Sequence, residues 1–201
     1  MSVGSDAVKA GPVGLGFRVK SGWATTFLLA GTDDAPRVLD RCTVDLSDPD
    51  QSETHQPFHA GTGREETNAA KIKRRVKIIE RAVHRSVVAL MDRYRELGVR
   101  VGGAALVVGS VVDPDSIANP HLRAHACEGK LFRTVLADAL RASGVRSRIF
   151  IERNVYAEAM IVLKRPEAEI KRALTELGRQ VGRPWSADEK LAALAAWLTR
   201  A

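Results

Sequence analysis

The sequence predicts one α/β domain built on a mixed sheet of five strands, a three-strand antiparallel meander plus two parallel strands, with flanking helices. Three observations predict it. Apolar stretches separated by tight turns mark three successive strands between residues 15 and 45. A single long amphipathic stripe follows. Two short apolar runs then alternate with helical stretches, the order in which parallel strands and crossover helices are laid down.

Residues 1–12 are rich in Gly, Ala and Ser without a period, and are expected to be a flexible lead-in to a domain spanning 13–201. Residues 15–20 and 23–29 read as strands joined at Ser21-Gly22, where glycine permits positive φ. Residues 37–45 alternate apolar and polar for much of their length, as a half-buried third strand should. Residues 47–63 combine Pro, Gly and polar residues without a period, a long loop of the kind that is functional or mobile. Thr62 and Glu65 have capping-box spacing for the helix that follows. In that helix Ile72, Val76, Ile79, Val83, Val87 and Leu90 recur at spacings of three and four, a stripe that Tyr94 and Leu97 continue to the stop at Gly98.

Residues 104–108 are wholly apolar, as in a central parallel strand covered on both faces. Pro120 suits the first turn of a second helix running to about Ser143, with Gly144 as its stop. Residues 146–151 form the fifth strand. Residues 156–163 and 166–182 read as helices, and a last helix over 186–199 opens with Ser-Ala-Asp-Glu, a capping box.

Composition bounds the function classes. Apolar residues make up 45% and charged residues 27% of 201, an ordinary globular mixture far from that of a disordered chain. Lys and Arg outnumber Asp and Glu by 31 to 24, a formal +7, which suits an anionic partner such as nucleic acid or a nucleotide and serves solubility equally well. The excess is concentrated in Lys71, Lys73, Arg74, Arg75, Lys77 and Arg81. Cys42 and Cys127 have no metal-motif spacing and lie in apolar-patterned segments, as reduced thiols do. No run of signal-peptide or membrane-spanning length occurs, so a cytoplasmic chain with no membrane partner is expected.

The segment Gly14-Leu-Gly-Phe-Arg-Val-Lys-Ser-Gly resembles the first strand of RuvC-type Holliday-junction resolvases, and the element order over residues 14–200 is similar to that of the ribonuclease-H-like superfamily. The resemblance implies a ribonuclease-H-like sheet. Arg18 stands where those resolvases carry a catalytic Asp. Asp188-Glu-Lys-Leu-Ala-Ala-Leu-Ala-Ala-Trp-Leu resembles the family helix in which carboxylates precede an Ala/Leu run. Asp188 or Glu189 matches one of those carboxylates, and the other falls on alanine. The strand over 104–109 lacks the glutamate that the resolvases place at its end. Two-metal phosphodiester hydrolysis needs several carboxylates around its ions, so these departures point to a non-nuclease member. The topology is also that of an actin-like ATPase subdomain, whose first turn would bind phosphate at Lys20, Ser21 and Gly22. The usual acid is again absent, and only one such domain is supplied.

Four groups of residues could carry chemistry. His121, His125 and Glu128 at i, i+4 and i+7 share one helix face within about 60° of arc, a spacing that suits Zn²⁺ or another divalent metal. The plainer alternative has the histidines bonded to nearby loop groups and Glu128 paired with Arg123 or Lys130. The expected topology brings Ser110, Asp113 and Asp115, the two histidines, and Glu152, Arg153 and Asn154 to the carboxyl ends of the parallel strands near Arg18, Lys20 and Ser21. Such a cluster could bind a phosphorylated ligand or do acid-base work, or be only a polar rim. Lys73, Arg74 and Lys77 on the long helix could neutralise phosphates, or form an ordinary solvated face. His55 and His59 in the long loop could complete a metal site or simply be exposed, and exposure is expected; Trp185 and Trp197 are expected to pack against the sheet or a partner subunit.

Three readings remain open. The chain binds nucleic acid or a phosphorylated ligand without nuclease activity; or it is a metal-dependent hydrolase using His121, His125 and Glu128 with Asp113 or Glu152 as base; or it is a homodimeric scaffold.

Overall fold

The computed structural model describes residues 13–32, 34–61 and 63–200. The lead-in expected over residues 1–12 and the capping residue Thr62 lie outside them. Five strands, β1 (Gly14–Val19), β2 (Trp23–Gly31), β3 (Pro36–Asp45), β4 (Gly103–Val108) and β5 (Arg146–Ile151), form one sheet in the order β3-β2-β1-β4-β5. β1, β2 and β3 pair antiparallel, while β4 lies parallel between β1 and β5. Among the described residues the α-helices are α1 (Ala69–Glu96), α2 (Pro120–Ala142), α3 (Val155–Leu163), α4 (Glu167–Val181) and α5 (Ala187–Leu198).

Strand periodicity divides the core into two layers. Leu15, Phe17, Leu106 and Val108 pack on one face with Val83, Val87, Phe132 and Leu136 of α1 and α2. Ala105, Val107 and Phe150 pack on the other with α3, α4 and α5, where Trp197 is fully buried. Each fully buried Leu or Phe contributes about 1.5–3 kcal/mol, so the two layers supply the main stabilisation. Trp185 stacks edge-on to Phe27 at 5.7 Å between ring centroids, and its ring would meet any side chain at Gly178. Both tryptophans therefore serve internal packing.

One sequence expectation fails at the start of α1. Glu65 does not cap it: its carboxylate takes the Nε and Nη2 hydrogens of Arg123 at 3.0 and 2.7 Å. Asn68 is the cap, accepting from the Lys71 N–H at 3.1 Å, and the helix begins at Ala69. At the other end of the chain, Ser186 and Glu189 do form the expected capping box on α5.

The long loop after β3 is pinned to the domain at several points. Leu46 and Ser47 donate their N–H groups to the Gly22 carbonyl in the β1–β2 turn at 2.9 and 3.1 Å. Farther on, the buried guanidinium of Arg75 donates to the carbonyls of Pro57 and His59 at 2.9 and 3.2 Å. The loop thus hands His59 to the N-terminal end of α2.

Candidate functional site

Two clusters meet at the carboxyl end of the parallel strands. The first begins with β1, whose Gly14, Gly16 and Arg18 face α5. A Cβ at Gly16 would stand 2.1 Å from the Ala196 nitrogen and 2.2 Å from the Ala192 oxygen, and one at Gly14 would stand 1.9 Å from the Ala196 oxygen. Glycine there lets the helix lie directly on the strand backbone. The next residue on that face, Arg18, consequently reaches the first turn of α5.

Arg18 is 4% exposed, and its Nη1 donates to the carbonyls of Val19 at 3.1 Å and Val107 at 3.4 Å. Its Nη2 pairs with Glu152 Oε2, beyond the end of β5. Its Nε lies 3.3 Å from Asp188 Oδ1, within ion-pair range though not aligned for a hydrogen bond. Lys20 Nζ adds a second cation 3.1 Å from the same oxygen. Asp188 also sits in the first turn of α5, where the helix dipole favours negative charge.

This arrangement does not fit a pair of divalent cations. Two-metal hydrolysis requires carboxylates free to enclose the ions. Here Glu152 and Asp188 converge on a buried guanidinium, so the space between these two acids already carries positive charge. A cation placed there would be repelled by both Arg18 and Lys20.

The second cluster forms where the loop crosses α2. Asn119 caps α2 and Pro120 opens it, which sets His121 and His125 one turn apart. His59, expected to be exposed, is instead 7% exposed, held by the Arg75 grip on its carbonyl and by its Nδ1 at 2.7 Å from Glu128 Oε1. Glu128 is fully buried. It pairs with neither Arg123 nor Lys130: its second oxygen, Oε2, faces His125 Nδ1 at 3.3 Å. His59 Nε2 stands 3.3 Å from His121 Nδ1. One ring nitrogen from each of His59, His121 and His125 lies within 4.8 Å of the others. The expected set of His121, His125 and Glu128 is therefore rearranged: His59 joins the two helix histidines, and Glu128 sits behind them. His55 is exposed, with a ring nitrogen 3.3 Å from Ser47 Oγ.

His125 lies on both sides of this junction. With Arg18, Lys20, Ser21 and Ser110 it lines a cleft of about 220 Å³. With His59, His121, Glu53 and Arg75 it lines a wider one of about 500 Å³. Of the other residues expected at the strand ends, Asp113 caps the turn over Pro114–Ser116 and lies 3.9 Å from Lys130 Nζ. Arg153 is exposed in the turn after β5.

The basic run on α1 splits into two. Arg75 is buried and pairs with Glu66 at 3.5 Å, and Arg74 pairs with Glu53, so both fasten the loop. Lys73 and Lys77 are exposed, and so are Arg81 and Arg85. These four recur every fourth residue, an inclined row about 18 Å long with no ion-pair partner among the described residues. Arg85 was absent from the sequence-level patch, although its spacing from Arg81 was there to be read.

No protein-family model matches the chain, and no curated protein sequence does. Among solved structures, RuvC of Thermus thermophilus superposes with a TM-score of 0.54 at 13% identity, over 92% of this chain and 92% of that one. Thermus thermophilus RuvC in complex with a Holliday junction substrate superposes with a TM-score of 0.55 at 13% identity, over 93% and 91%. With its three-strand meander, two parallel strands and flanking helices, the chain has the ribonuclease-H-like fold and a distant structural resemblance to RuvC.

Proposed function

We propose that this protein binds nucleic acid and does not cut it by two-metal hydrolysis. The observation that carries the second half is the ion pairing of Arg18 with Glu152 and Asp188, which commits the strand-end acids to a side-chain cation. The first half is supported by the Holliday junction bound by the structural neighbour, the net charge of +7 and the exposed row from Lys73 to Arg85. Lysines and arginines so spaced neutralise backbone phosphates and release counterions, giving salt-dependent binding without sequence preference. Lys20, Ser21 and Arg153 border the strand ends and would contact a phosphate there. No stacking aromatics interleave with the bases, so duplex or branched nucleic acid suits this surface better than single strands.

The test is a titration of labelled branched, duplex and single-stranded DNA and RNA, with the nucleic acid recovered after incubation with Mg²⁺ or Mn²⁺. Binding at low salt with intact product supports the reading. Absence of binding at low salt removes its first half, and metal-dependent cleavage that survives purification from contaminating nucleases removes its second.

A further inference from the structure

The strand-end acids are committed to Arg18, yet His59 from the loop and His121 and His125 from α2 bring three ring nitrogens within 4.8 Å of one another. We propose that His59, His121 and His125 bind one divalent transition-metal ion, Zn²⁺ by the chemistry of the donors, with a fourth position open to water or an anionic oxygen.

Three features carry this. Nitrogens about 2.0–2.1 Å from a tetrahedral zinc stand about 3.3 Å apart, and the separation of His59 Nε2 from His121 Nδ1 is 3.3 Å. The full set within 4.8 Å needs only a modest closing movement, available because His121 and His125 are exposed side chains on a capped helix. Next, Glu128 occupies the place of an orienting carboxylate. Its two oxygens face the Nδ1 atoms of His59 and His125, and a histidine whose Nδ1–H is held by a carboxylate turns the lone pair of Nε2 toward a metal. Finally, Glu128 is fully buried, and no Lys or Arg among the described residues lies within ion-pair distance of it. Arg123 is taken by Glu65 and Arg75 by Glu66. A buried carboxylate demands compensating charge, and a divalent ion bound through the rings it holds supplies that charge.

Three imidazoles with no thiolate suit zinc over magnesium or calcium, which prefer oxygen donors. Three protein ligands rather than four leave a coordination position free, and the cleft of about 500 Å³ beside the histidines gives a small anion access to it. Because His125 also lines the Arg18 cleft, an oxygen ligand such as phosphate there would lie between this ion and the cations of the strand-end cluster.

The experiment uses the full chain without a histidine tag. Metal content is measured after dialysis, followed by titration of the stripped protein with Co²⁺, whose visible absorption reports coordination number. We expect one Zn²⁺ per chain, an intense tetrahedral Co²⁺ band and a raised Tm on metal addition. His121→Ala and His125→Ala, both at exposed positions and so expected to fold, should lose the band, while His84→Ala on α1 should keep it. Glu128→Gln should raise the Co²⁺ Kd about 10- to 100-fold with the ligand set unchanged. Substoichiometric metal with no Co²⁺ band, or wild-type affinity in His121→Ala, would overturn the site. An unchanged Kd in Glu128→Gln would overturn the orienting role. These readouts are independent of nucleic-acid binding.

Discussion

The carboxylate of Asp188 is shared by two cations of β1 and the turn after it: Oδ1 lies 3.3 Å from Arg18 Nε and 3.1 Å from Lys20 Nζ. Arg18 is buried while its acidic partners are partly exposed, so the pair is unequal. Removing the guanidinium leaves Glu152 without its cation and Asp188 with Lys20 alone, at a cost of about 2–4 kcal/mol after allowing for the exposure of the acids. Arg18→Met should lower the urea midpoint accordingly. Arg18→Asp should lower it further and acquire stabilisation by millimolar Mg²⁺ or Mn²⁺ that the parent lacks. A parent and variant with equal metal response would contradict this account of the strand end.

The contact between β1 and α5 makes a sharper stability prediction. A methyl group at Gly16 would meet helix backbone on two sides, and backbone cannot rotate away. Gly16→Ala should therefore cost about 3 kcal/mol or more, at the upper end of overpacking effects. Gly129→Ala is the control, because nothing lies within 4 Å of a Cβ there.

Cys42 should be slow to react. Burial foremost, and then the nearby charge of Asp40, push its thiol up to about 11 from an ordinary 9.0. Only the thiolate attacks alkylating agents, so at pH 8 Cys42 should be labelled about 100-fold more slowly than an unperturbed thiol. Peptide mapping after timed iodoacetamide exposure measures this, and equal rates in the folded and urea-unfolded chain would contradict it.

Glu66 gives an acid-side prediction. Its carboxyl is held below the usual 4.5, first by the Asn68 N–H and then by the charges of Lys71 and Arg75. A folded pKa below the unfolded one stabilises above pH 4.5, and that contribution is lost as pH falls through the depressed value. Glu66→Gln should flatten the acid limb of the stability-pH curve between about pH 4.5 and that lower point. Thermal melts at half-unit pH steps read the effect.

The strands and helices were legible because their periods are local. The stripe from Ile72 and the apolar run 104–108 each declare an element without outside help. The start of α1 was not legible, since Glu65 looks like a capping residue until Arg123, 58 positions later, claims it. The burial of His59 was missed for a similar reason. Nothing beside it in sequence reveals that Arg75 fixes its backbone or that Glu128 binds its ring. Arg18 was legible as a departure from the resolvase pattern, but its neutralising role required Glu152 and Asp188 to be brought to it from opposite ends of the fold.

The most direct test of the nucleic-acid reading is the salt dependence of binding to a labelled branched duplex, comparing the parent with Lys77→Glu/Arg81→Glu. Both positions are exposed, so the fold should be unaffected. Binding should weaken and the slope of log K against log salt should fall by about 2, near one counterion per lost phosphate contact. An unchanged affinity and slope in the double variant would contradict the assignment of this helix row to a phosphate backbone.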